Sequence, residues 1–118
     1  MTGDAPSPPF LPAGPAGSVR AGIGKAFTIA GRRIAVFRHE GRLYALDDGC
    51  THGAASLAFG SLRGGCVACP WHYGEFDLAT GEPRSLPVYQ GVNTYPVREV
   101  DGIIEVCVPE RPATEPGD

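Results

Sequence analysis

Two short motifs, Cys50-Thr51-His52 and Cys69-Pro70-Trp71-His72, limit most sharply what this chain can fold into. Each brings one sulfur and one imidazole donor, and 16 residues lie between them. Both fall in residues 48–87, a stretch rich in glycine and proline that holds three of the four cysteines and two of the three histidines. The stretch is too long for a hairpin loop, and long loops inside a compact domain are usually functional.

The flanking sequence is punctuated like a set of short strands. Residues 25–30 and 32–38 flank Gly31, and residues 42–47 follow Glu40-Gly41. Residues 94–100 and 103–108 flank Asp101-Gly102, a strong signal for a two-residue hairpin. Ile34 and Val36 alternate with Ala35 and Phe37, as Leu43 and Ala45 do with Tyr44 and Leu46. No window carries a helical-period apolar run free of Gly or Pro, so the fold class expected is all-β. Of the 12 prolines, five lie in residues 1–18 and three in 109–118. Those two ends are therefore expected to be a disordered leader and tail around a folded unit of residues 19–108. A unit so small gains from a metal staple.

Several function classes are excluded. Lys+Arg 10 against Asp+Glu 13 gives a formal charge of −3, with no basic stripe for nucleic acid. No apolar run approaches the ~20 residues of a membrane span. Residues 1–30 show no basic region followed by an apolar core, so no secretory signal is read and the expected location is cytoplasmic. In that compartment the cysteines are expected to bind metal or stay reduced rather than pair.

Thiolates suit one soft iron of a sulfide-bridged pair and imidazoles the other, so two loops that each offer one of both can close over a [2Fe–2S] cluster. Residues 69–81, Cys-Pro-Trp-His-Tyr-Gly-Glu-Phe-Asp-Leu-Ala-Thr-Gly, resemble the second ligand stretch of the Rieske iron–sulfur proteins. Cys50-Thr51-His52, Pro87 and Tyr95-Pro96-Val97 fit the same pattern, and the resemblance spans about residues 20–108. It is nearest to the small Rieske-type ferredoxins of bacterial aromatic-ring-hydroxylating dioxygenase systems. The resemblance implies an antiparallel β-sandwich-like base with a smaller cluster-binding subdomain at about 48–87. It also implies one [2Fe–2S] cluster held by Cys50, His52, Cys69 and His72. The function implied is a monomeric one-electron carrier. It would take electrons from a flavin-dependent NAD(P)H reductase and pass them to a terminal oxygenase.

Differences within that family carry information. High-potential members have a second cysteine in each ligand loop, joined as a disulfide; Ala55 and Trp71 stand at those positions, so no such bridge is implied. They also have a serine and a tyrosine whose hydroxyls bond to sulfurs at the cluster, where this chain has Gly74 and Phe76. Hydrogen bonds to the sulfurs raise the potential, so their loss implies a low-potential carrier, at about −150 mV. A mononuclear oxygenase iron needs two histidines and a carboxylate, and only His39 remains once His52 and His72 are committed. The chain is thus not expected to be an enzyme by itself.

Other readings stay open at the level of sequence. One is the Rieske-like small subunit of a nitrite reductase. Another is a zinc-stapled interaction domain using Cys66-Val67-Ala68-Cys69, although residues 65–69 read as a strand, in which positions three apart face opposite ways. Cys66 and Cys107 read as small buried residues of strands, and His39 as a surface residue. Trp71 and Tyr73 are expected to pack the loop and shield the cluster from water, and Pro70 to stiffen it. Leu57 and Gly60 are expected to support the loop after His52, with Gly60 at a turn.

Overall fold

The structure is a computed structural model that describes residues 10–49, 56–70, 74–84 and 91–108. Among the described residues ten strands form three antiparallel sheets, and the only helical turns are two of 3-10 type, Ala16–Ser18 and Leu57–Phe59. The strands are β1 (Phe10–Pro15), β2 (Lys25–Ile29), β3 (Arg32–His39), β4 (Arg42–Asp47), β5 (Ser61–Arg63), β6 (Cys66–Ala68), β7 (Glu75–Asp77), β8 (Thr94–Tyr95), β9 (Val97–Val100) and β10 (Ile103–Cys107). Their orders are β1-β10-β9, β2-β3-β4-β8 and β5-β6-β7. The chain is all-β.

Strand β3 explains how three sheets share one small body. Alternate side chains of a strand face opposite ways, and in β3 both sets are buried. Ile34 and Val36 join Ala45, Tyr95, Ile104 and Val106 in one core, between the four-stranded sheet and β1-β10-β9. Ala35 and Phe37 join Leu46, Leu57, Val67, Cys69, Phe76 and Leu78 in a second core, beneath β5-β6-β7. The first core is that of the base. The second ties the smaller sheet, which lies within the expected 48–87 subdomain, to the base.

Two sequence expectations are corrected. Residues 10–18 do not belong to a disordered leader: β1 pairs with β10, from Phe10 opposite Cys107 to Pro15 opposite Ile103. Proline is tolerated there because β1 is the edge of its sheet, where N–H groups are dispensable. The register shifts between Pro12 and Gly14, and the Arg98 guanidinium lies 3.9 Å from the centre of the Phe10 ring. Arg38 donates to the carbonyls of Val19 (3.1 Å) and Ala16 (3.3 Å), fixing the turn that follows. Residues 1–9 and 109–118 lie outside the described residues. The second correction concerns residues 94–100, which form two strands rather than one. Pro96 divides them, so β8 pairs with β4 and β9 with β10.

Among the described residues four hairpins use two-residue turns: Arg63 pairs with Cys66 across Gly64-Gly65, and the other three share one geometry. Ile29 pairs with Arg32, His39 with Arg42 and Val100 with Ile103. The intervening pairs Ala30-Gly31, Glu40-Gly41 and Asp101-Gly102 all have positive φ, the geometry that matches strand twist. Ala30, at φ 53°, has no polar side chain to ease that conformation. Replacing Ala30 by Gly is expected to raise the unfolding free energy by about 0.5–1 kcal/mol in urea titration; a loss of stability would contradict the turn assignment.

Candidate metal centre

Asp48 closes the base of the first motif-bearing loop. Its peptide N–H donates to the Arg33 carbonyl (3.1 Å), and its own carbonyl accepts from the Leu57 N–H (2.6 Å). Its carboxylate accepts from Arg33 Nε (3.1 Å), from the Ser56 hydroxyl (2.7 Å) and from the Ala58 N–H (2.9 Å). Gly49 and Ser56 form an antiparallel bridge. The two ends of the loop are therefore joined at residues 48–49 and 56–58. Leu57 is fully buried, as the sequence suggests for a residue that supports the loop.

The second loop is closed by the β6–β7 hairpin. Ala68 pairs with Glu75, and the Cys69 N–H donates to the Gly74 carbonyl at 2.7 Å. Cys69 is wholly enclosed, within the same apolar core as Phe37 and Phe76. The two loop bases are brought together by Gly60, where an added Cβ would lie 2.2 Å from the Ala68 carbonyl oxygen. Only glycine permits that approach, one residue short of Cys69.

A third segment is fixed by Asp77. Its Oδ1 accepts from the N–H groups of Ala79 and Thr80, and Arg84 donates to Oδ2 at 2.8 Å. The Arg84 guanidinium and these backbone bonds hold the Asp77 carboxyl below its usual range. Gly81, at φ 77°, has the Val92 carbonyl oxygen 2.1 Å from where a Cβ would stand. Asp47 anchors the return to the base: the Tyr95 hydroxyl donates to it at 2.5 Å and the Asn93 N–H at 3.1 Å. Arg32 in turn donates to the Tyr95 oxygen at 3.0 Å. Burial, and then the Asp47 carboxylate, push the Tyr95 phenol up to about 12.

Of the four residues singled out as ligands, Cys69 is placed as above; Cys50, His52 and His72 lie outside the described residues, as do Ala55, Trp71, Tyr73 and Pro87. Cys66 and Cys69 have different surroundings. Cys66 is partly exposed opposite Asp77, and burial together with Asp77 and Glu75 raises its pKa, which keeps it a thiol. Cys107 is buried. His39 is partly exposed, with Nε2 3.8 Å from Glu40. The donor set fits an iron–sulfur cluster: one sulfur is enclosed in an apolar core, and the two closed loops carry equal numbers of sulfur and imidazole donors.

No local sequence cue marks Ser56 or Asp47, and Tyr95 is read only as part of the Tyr95-Pro96-Val97 match. The signal for Asp48 was its position, an acidic residue two before Cys50 with a serine at the far end of the loop.

Comparison with known proteins agrees with this arrangement. Residues 10–96 match the model of the Rieske [2Fe-2S] domain. The chain is 46% identical to the anthranilate 1,2-dioxygenase ferredoxin subunit of Burkholderia cepacia over 84 residues, which are 70% of this chain and 78% of that one. Its structure resembles that of the Sphingomonas yanoikuyae B1 ferredoxin, with a TM-score of 0.79 and 33% identity, over 86% of this chain and all of the other. It also resembles a chain in the complex of reduced oxygenase and oxidised ferredoxin in carbazole 1,9a-dioxygenase. That likeness has a TM-score of 0.76 and 33% identity, over 83% of this chain and 92% of that one.

Two outcomes follow. Gly81→Ala is expected to lower the unfolding free energy by about 2 kcal/mol or more, since it combines left-handed strain with a backbone clash. The neutral Tyr95 phenol is favoured by folding, so its contribution is complete below its ordinary value of 10 and is lost as pH rises towards about 12. The stability difference between wild type and Tyr95→Phe, measured by urea unfolding, should shrink across that window; a constant difference would contradict the assignment.

Proposed function

Because the chain belongs to the Rieske [2Fe-2S] domain family, we propose that it is a ferredoxin that receives electrons from a flavin-dependent NAD(P)H reductase and delivers them to a terminal oxygenase acting on an aromatic compound. It carries one Rieske-type [2Fe–2S] cluster, and it is an electron-transfer component rather than an enzyme. The observation that supports this reading most is a likeness to a dioxygenase ferredoxin subunit over 70% of the chain, together with a structural likeness to a ferredoxin over 86% of it. The reading as a nitrite reductase small subunit has weaker support, since a protein so described shares 23% identity while ferredoxins of dioxygenase systems share 45–46%.

The cluster, when bound, supplies a one-electron couple. Cys50 and Cys69 would hold the cluster as thiolates, and His52 and His72 through their imidazoles. The chain's own contribution is to bring these loops together at a closed base, to enclose Cys69 away from water, and to supply no hydroxyl at positions 74 and 76. Phe76 is fully buried in the second core and Gly74 is buried beside Cys69. The carrier works in the cytoplasm as a monomer. Among the described residues no helix is long and apolar enough to cross a membrane. A formal charge of −3 suits reversible docking on basic partner surfaces.

Reconstitution tests this reading. With a flavin reductase, NADH and a terminal aromatic-ring oxygenase, the holoprotein is expected to support product formation. His72→Ala is expected to lose the mixed-ligand spectrum and to lower coupled turnover by more than about 100-fold. A His72→Ala protein with an unchanged spectrum and rate would refute the ligand assignment. The midpoint potential is expected at about −150 mV, and a value above zero would contradict the role given to Gly74 and Phe76.

A further inference from the structure

Asp48 is the one charged side chain that is buried among the described residues. A buried carboxylate is expensive to desolvate and persists where its lone pairs are filled and a cation faces it. Here both conditions are met. The exposed Arg33 guanidinium supplies the charge, and Ser56 and the Ala58 N–H fill the remaining positions. These partners come from the central sheet and from the far end of the first ligand loop. The backbone of the same residue repeats the link, by its bonds to Arg33 and Leu57. An apolar side chain at position 48 could fill the volume but could not join these segments.

We propose that Asp48 is the positioning residue of the first ligand loop: standing at one end of that loop and bonding Ser56 and Ala58 at the other, it fixes the separation of the two ends from which Cys50 and His52 are offered to the cluster. The proposal rests on the reading of Cys50 and His52 as ligands. Loop closure costs chain entropy, and a loop closed in advance by Asp48 loses little more when the iron binds. Once the side-chain bonds are removed, only the backbone links at Arg33, Leu57 and Ser56 hold the ends, and the metal must order more of the loop. The cluster then leaves faster and its surroundings become heterogeneous, even where the base of the fold stays intact.

The test compares holoproteins carrying Asp48→Asn, Asp48→Ala or, as a control, Ile104→Ala. Ile104 is fully buried in the core on the other side of the central sheet, so its truncation weakens the fold without touching the loop. The readouts are iron and sulfide content, the rate of bleaching in excess chelator, the width of the reduced EPR signal, and the thermal midpoint. Asp48→Ala is expected to bleach at least ~10-fold faster than wild type and to broaden the signal, with Asp48→Asn in between. Ile104→Ala is expected to lower the thermal midpoint while bleaching well below its melting range at the wild-type rate. If Asp48→Ala does not fold, Asp48→Asn carries the comparison. Bleaching of the Asp48 variants no faster than that of Ile104→Ala would overturn the proposal. His52→Ala, measured alongside, separates the two readings. Its retention of the mixed-ligand signal would refute the ligand assignment, whereas its loss with unaffected Asp48 variants would refute the role of Asp48 alone.

Discussion

Burial of β3 on both faces is the constraint on which the rest of this molecule depends. A sheet with one wet face would need only the base, but Ala35 and Phe37 present a second apolar surface that must be covered. The segment between β4 and β8 provides the cover, through Leu57, Val67, Phe76 and Leu78. Cys69 is part of that cover. The same packing that hides the second face of the sheet therefore seats a candidate ligand, and the bases of the two candidate ligand loops join a layer that the hydrophobic effect holds in place.

Apolar packing sets where the subdomain lies, but polar contacts set its loops. Asp47, Asp48 and Asp77 each accept several hydrogen bonds from the ends of a different irregular segment. Adjacent residues of a strand point to opposite sides, and the partners of Asp47 and Asp48 differ accordingly. Asp48 holds residues 56–58, while Asp47 holds Asn93 and Tyr95. The end of β4 thus organises two connections at once. Gly60 and Gly81 complete the arrangement by allowing backbones to approach more closely than any side chain would permit.

Much of this was legible in the sequence. Two-residue turns at Glu40-Gly41 and Asp101-Gly102, and the alternation in residues 32–38, signal hairpins through local chemistry, and those hairpins are present. The alternation read in residues 34–37 does not reveal the double burial of β3, which goes with an unbroken apolar run from Ile34 to Phe37. The edge strand β1 was not legible. Its prolines suggest disorder, and what orders it is pairing with β10, about 90 residues away in sequence, a contact that no local pattern encodes. Pro96 likewise divides a run that reads as one strand. In the candidate site, the Cys and His motifs are legible because their chemistry is rare. Asp48 and Tyr95 are not, because an aspartate before a glycine and a tyrosine in a strand are ordinary until their partners are known.

A closed pair of loops, an enclosed cysteine sulfur and a likeness to dioxygenase ferredoxins converge on electron transfer by a mixed-ligand cluster. The most direct test is anaerobic EPR of the dithionite-reduced protein, with iron and acid-labile sulfide measured on the same sample. The account predicts a rhombic signal of low average g, as mixed cysteine and histidine ligation gives, with iron and sulfide in the ratio of one [2Fe–2S] cluster per chain. An EPR-silent protein holding stoichiometric zinc and no sulfide would contradict it.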